Sequence, residues 1–126
     1  MLNTFKIDQV ATFPNGVMFL ACEPKHERGS NDQARTKTGQ FKWEVHCLVG
    51  ARNQFGQLAF DTLKIGLATE TSTDPCADLP IQSAVELVGF EVGVMAREKD
   101  GQMTGVQVWY RCAQVRSTAA TGAKAA

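Results

Sequence analysis

Phe41-Lys42-Trp43-Glu44-Val45-His46-Cys47-Leu48-Val49-Gly50 is the stretch on which the fold turns. Its side chains alternate, with Phe41, Trp43, Val45, Cys47 and Val49 on one face and Lys42, Glu44 and His46 on the other. That period of two belongs to a half-buried strand. Immediately upstream, residues 23–40 form a polar loop that carries Lys25, Arg28, Arg35 and Lys37 against Glu23, Glu27 and Asp32. A loop of this composition has little to bury, so it stays at the surface beside an aromatic-bearing strand. There its cations can hold a polyanion while rings take flat groups.

Working outward, nearly every other segment also reads as strand. Residues 5–11 alternate apolar with polar. Pro14-Asn15-Gly16 is a turn, because Asn and Gly tolerate positive φ, and residues 17–22 continue as a mostly apolar strand. Residues 52–57 make a Gly-containing turn into a strand over 58–68. Residues 69–83 are the one long break; Asp74-Pro75 can cap a short helical turn, which Pro80 ends. Strand resumes over 85–96, with Gly89 and Gly93 placed where a bulge or sharp coil needs them. Lys99-Asp100-Gly101-Gln102 is a hairpin turn, and residues 105–115 form the last strand, with Val106, Val108, Tyr110 and Cys112 facing the core. Residues 117–126 are small, polar and Ala-rich, which predicts a disordered tail.

Five strong strand regions, fewer and longer than an immunoglobulin-like sandwich needs, predict an all-β fold. The expected form is a five-stranded OB-fold-like barrel over residues 1–116, with extended loops and the tail at 117–126.

Composition narrows the function. The chain has 126 residues, with 13 Lys and Arg balanced by 13 Asp and Glu. A net charge of zero argues against wholesale electrostatic binding of nucleic acid, yet the charge is unevenly spread. Basic residues dominate 25–42, whereas 70–91 holds five acidic residues and no Lys or Arg. No apolar run approaches the roughly 20 residues of a membrane span, and the N-terminus lacks a signal-peptide layout, so a cytoplasmic protein is expected. Cys22, Cys47, Cys76 and Cys112 include no C-x-x-C pair. Cys22-x-x-x-His26 with His46 or Cys47 lacks the second half of a zinc spacing, so no metal is expected. No phosphate loop, H-E-x-x-H, G-x-S-x-G or G-x-G-x-x-G occurs, which points away from an enzyme and from any cofactor.

The strand Trp43-Glu-Val-His-Cys-Leu-Val-Gly50 resembles the one in bacterial single-stranded DNA-binding proteins where a Trp precedes a hydrophobic run closing with Gly. Its surroundings are similar too: Asn15-Gly16-Val17, the charged loop Arg35-Thr-Lys-Thr-Gly39, and Val85-Glu-Leu-Val-Gly89 followed by a charged hairpin at 97–102. The order covers residues 5–116. Two features depart from it: residues 51–83 are longer and more strand-like, and the tail lacks an acidic, apolar tip. The resemblance, to a divergent form such as mobile elements carry, implies an OB-fold that binds single strands by stacking and basic loops, often as a homo-oligomer.

The candidate contacts are Lys25, Arg28, Arg35, Lys37, Lys42, Arg97 and Arg111 for phosphates, with Trp43, Phe55 and Trp109 for bases. Single-stranded DNA is the expected partner, with RNA left open and no membrane involved. Two readings of Trp43 stand side by side. The resemblance makes it a base platform, whereas its alternation puts it in the core. Trp109 shares a face with Gln107 and Arg111, which suits either a base or a protein partner. An OB-fold interaction module without nucleic acid affinity is the alternative function.

Overall fold

The structure, a computed structural model, describes residues 2–118. It is all-β apart from one short helix. In chain order the elements are β1 (Leu2–Lys6), α1 (Gln9–Thr12), β2 (Val17–Pro24), β3 (Phe41–Arg52), β4 (Leu58–Thr69), β5 (Val85–Val88), β6 (Glu91–Lys99), β7 (Gln102–Arg111) and β8 (Gln114–Ser117). Six strands form one sheet in the order β1-β6-β7-β4-β3-β2, and β5 pairs with β8. All neighbours are antiparallel except β4 and β7, which meet in parallel at Ile65–Tyr110 and Gly66–Arg111.

The sheet curls into a half-barrel, and a bent strand helps it do so. Residues 85–99 run as two strands rather than one, broken at Gly89, whose φ is +65°. A side chain there would also crowd Ala113, so only glycine makes this corner without strain. The bend lets β6 pair with β7 while β5 turns away to pair with β8. The entry to β5 reaches the far edge of the sheet, where Phe19 N donates to Ser83 O (2.8 Å) and Gln82 N to Phe19 O (2.6 Å). Gly93, by contrast, is no bulge. It pairs in regular register with Trp109, and the irregularity of this hairpin falls between Arg97 and Glu98. The last strand breaks as well, at Cys112-Ala113.

Near the N-terminus the structure corrects the expected strand over 5–11. β1 ends at Lys6, and Asp8 Oδ1 accepts from Ala11 N at the start of α1. A capping aspartate thus outweighs the alternating pattern. The Gln9 side chain then completes the fold locally. It accepts from Leu87 N (2.7 Å) and donates to Val85 O (3.0 Å), satisfying β5 as a neighbouring strand would. Residues 69–83 contain no helix; Asp74 Oδ1 only closes a turn by accepting from Cys76 N. Of the expected tail, residues 119–126 lie outside the described residues, and Ser117 pairs with Val85 in β8.

The core gathers the inward faces of β2, β3, β4 and β5: Val17 and Phe19, Trp43, Val45, Cys47 and Val49, Ile65 and Leu67, Val85 and Leu87, with Phe90 and Val115 closing it and half-buried Tyr110 of β7 packed against it. Phe90 links Phe13 to Tyr110 through ring contacts of 6.2 and 6.0 Å. Each large aliphatic so buried contributes roughly 1.5–3 kcal/mol. Val106 and Val108, expected in the core, are 53% and 49% exposed. β7 meets β4 only at Tyr110 and Arg111, so the apolar face of the β6–β7 hairpin beyond them finds nothing opposite.

Cys47, Cys76 and Cys112 are buried and Cys22 is half-buried, all four as free thiols. Burial pushes Cys47 and Cys112 up to about 12 from the ordinary 9.0. These thiols keep their protons in the folded state above the pH at which the unfolded chain releases them. Their contribution to stability is therefore complete below pH 9.0 and declines as pH rises from there through about 12. The melting temperature should fall steeply across that window, and Cys112→Ala should flatten the fall. An identical pH profile in the variant would refute this origin.

Candidate functional site

The outer face of the sheet is set by the β3–β4 ladder. Trp43, Val45 and Cys47 stand opposite Leu67, Ile65 and Leu63 and point inward, so Lys42, Glu44 and His46 face outward opposite Ala68, Gly66 and Lys64. On β7 the same logic turns Tyr110 in and Gln107, Trp109 and Arg111 out. Two adjoining hollows, about 590 and 440 Å³, lie along this outer face and share Lys25, Trp43, Gly66, Trp109 and Tyr110. Together they make a shallow groove across β3, β4 and β7. Its floor stays open at Gly66, which has no side chain to fill the space between Glu44 and Arg111.

Trp109 is the centre of this groove. It is half-buried and lies across Gly93 of the neighbouring strand. A Cβ built at Gly93 would fall 2.2 Å from the indole Cε2, so the ring occupies the space a side chain would take. Phe60 treats Gly50 the same way on the β3–β4 hairpin, 3.1 Å from where a Cβ would sit. Aromatic cover of a strand glycine holds the ring flat against the sheet. One face of the indole is therefore packed.

The loop before β3 is a built arm. Lys25 N donates to Lys42 O, Ala34 N to Lys25 O, and Lys42 N to Ala34 O, which extends the β2–β3 ladder outward. Ala34 is buried in the process, and Gln33 Nε2 adds a bond to Lys42 O at 2.9 Å. These bonds place Lys25 and Lys42 together on the rim. Two tight turns hold Arg28 and Lys37, neither of which lines the groove, although Thr36 and Gln40 at the ends of the second turn do. Arg35 also misses the lining; its guanidinium lies 4.2 Å over the Phe41 ring, a cation–π contact.

Of the expected contacts, the structure brings Lys25, Lys42, Trp109 and Arg111 into one groove and leaves Arg28, Arg35, Lys37, Phe55 and Arg97 outside it. Phe55 is 76% exposed at the tip of the β3–β4 hairpin, where Asn53 Oδ1 accepts from Phe55 N and Gln57 N. Arg97 sits at the β6 irregularity. Trp43 is corrected as a base platform. It is 5% exposed, its indole fills the core, and its Nε1 donates to Thr69 Oγ1 at 2.8 Å. Alternation therefore outranks the resemblance at this position. Lys64, which sequence reading passed over, lines the groove. Its place between inward Leu63 and Ile65 was the available signal.

Electrostatics along the groove are mixed. Lys25, Lys42, Lys64 and Arg111 face Glu44 and Asp61. Arg111 Nε is held at 2.9 Å by Glu91 Oε1, and His46 Nε2 lies 3.0 Å from Glu44 Oε1. A larger hollow, about 860 Å³, lies elsewhere, beside α1 and β5. Asp8, Glu86 and Glu91 line it against Lys6 and Arg111, so it is a poorer place for an anion. The zinc ligands considered above do not converge, since His26 Nδ1 contacts Asn31 O and His46 faces outward while Cys47 faces in. No helix among the described residues is long and apolar enough to cross a membrane.

Comparison with protein-family models, curated proteins and solved structures gives no match to this chain.

The two tryptophans should separate in solution. Trp43→Phe leaves only Trp109, whose emission should be red-shifted and readily quenched by acrylamide. Trp109→Phe leaves a blue-shifted, shielded indole. Trp43→Phe should also cost about 1–3 kcal/mol in denaturant unfolding, because Thr69 loses its donor in a site the smaller ring cannot refill. Equal quenching in both variants would overturn the assignment of faces.

Proposed function

We propose that this chain is an OB-fold protein that binds single-stranded DNA with little sequence preference. The strand course supports the fold: a curled antiparallel sheet joined by one short parallel contact, with a bent strand returning to its far edge. The groove's position supports the activity. OB-folds bind oligonucleotides on the face of their second and third strands, between the loop joining the first two and the loop joining the last two. Here that face is β3 and β4, flanked by the arm over 25–40 and the β6–β7 hairpin. The observation that carries the reading is Trp109, laid flat on Gly93 within a groove whose rim holds Lys25, Lys42, Lys64 and Arg111.

In this reading Trp109 stacks on a base and the lysines neutralise neighbouring phosphates. Carboxylates in the groove keep that attraction modest, which suits a neutral chain. A role in replication or transfer of a plasmid or integrated element, in the cytoplasm, follows from the resemblance in sequence. Homo-oligomerisation has a separate support. Phe5, Val106 and Val108 are exposed on one face of β1, β6 and β7, and such a face suits contact between copies or with another protein. That same surface favours the second reading, an interaction module of this fold without affinity for nucleic acid.

Titration with an unpaired oligonucleotide at low salt should quench tryptophan emission. If three or four cations contact phosphates, the slope of log K against log salt should be about −2 to −3. Trp109→Ala should weaken binding by about 1–3 kcal/mol, and the Lys25→Glu, Lys42→Glu double variant should abolish most of it. Binding unchanged by both variants, or absent from the parent protein at low salt, would leave the interaction module.

A further inference from the structure

We propose that Cys22, Cys76 and Asp74 form a binding site for one thiophilic divalent cation of the zinc class. Cys22, on β2, is remote in sequence from Asp74 and Cys76, which lie two positions apart in the long break before β5. Yet the two sulfurs and a carboxylate oxygen all lie within 4.8 Å of one another. In a tetrahedral site with zinc–sulfur bonds of about 2.3 Å, paired sulfurs stand roughly 3.8 Å apart. Small side-chain rotations are enough to reach that spacing.

The setting also suits a metal. Residues 70–84 are otherwise exposed or half-buried, and Cys76, 3% exposed, is their one fully buried side chain. A turn whose other core contact is the half-buried Leu79 thus delivers a thiol to the inner side of β2. Asp74 is fixed beside it, one carboxylate oxygen accepting from Cys76 N at 2.8 Å. Asp74 is exposed and Cys22 half-buried, so the fourth position of a tetrahedron opens toward solvent. Two thiolates select a soft or borderline ion over magnesium or calcium. Cys47 and Cys112 belong to the same core but not to this cluster, which makes them internal controls. A bound ion would pin the break to β2 and fix the entry to β5, a distinct matter from strand binding in the groove.

The test uses the full chain, fully reduced and stripped of metal, titrated with Co²⁺. One equivalent should give a thiolate-to-cobalt charge-transfer band and the visible bands of a tetrahedral site, both erased by Zn²⁺. Cys22→Ser should at least halve the charge-transfer intensity, since Cys76 alone is left to supply a thiolate, and lower zinc affinity about 10–100-fold. Asp74→Asn should weaken it less, and Cys47→Ala should leave it unchanged. Circular dichroism checks that each variant is folded. Because Cys22 is half-buried, its replacement reports even if Cys76→Ser unfolds. Overturning results would be no saturable cobalt spectrum from reduced protein, or an undiminished spectrum in Cys22→Ser. A third would be a Cys22–Cys76 disulfide in isolated protein whose reduced form takes up no metal.

Discussion

The pairing register of β3 with β4 is the constraint from which the rest of the molecule follows. Trp43, Val45, Cys47 and Val49 all point inward only because each stands opposite its partner in a ladder of twelve pairs. A slip by one residue would carry Lys42, Glu44 and His46 into the core and strip it of its largest side chains. The inward set includes no buried charge among the described residues, so nothing softens that penalty. With the register fixed, the outward set is fixed too. β4 then determines how β7 lies, and β7 determines where Trp109 faces.

Much of this was legible before the structure. The alternation over 41–49 gave both faces of β3, but at Trp43 it stood beside a family likeness that made the indole a base platform, and the structure decides for burial. The alternation over 107–112 gave the outward Trp109. Asn15-Gly16 and Gly89 fall where turns and corners require them, with φ of +90° and +65° at the two glycines. The failures have physical causes. Over 5–11 a single aspartate cap converted an alternating pattern into a helical turn. At Val106 and Val108 the alternation was right about the face, but period alone cannot tell whether another element lies opposite that face. Cys76 was hidden for a similar reason, because a polar, proline-containing break gives no periodic signal for one buried side chain.

The groove also shows why net charge is a poor guide here. A neutral chain places Lys25 and Lys42 side by side through backbone bonds made by a loop, while several of its acidic groups sit around the separate hollow beside α1. Local geometry, not composition, sets the field a ligand meets. The same geometry withdraws Arg35 onto Phe41 and leaves Arg28 and Lys37 out of the lining, so of the most basic stretch of sequence only Lys25 and Lys42 reach the groove.

Gly93 presents its missing side chain to the indole rather than to any ligand. Were position 93 to drift to serine or alanine, every groove residue would survive unchanged, and yet the ring would be lifted from its seat and tilted. The height and pitch of the indole in the groove are thus written on a neighbouring strand, at a residue that does not itself line the groove.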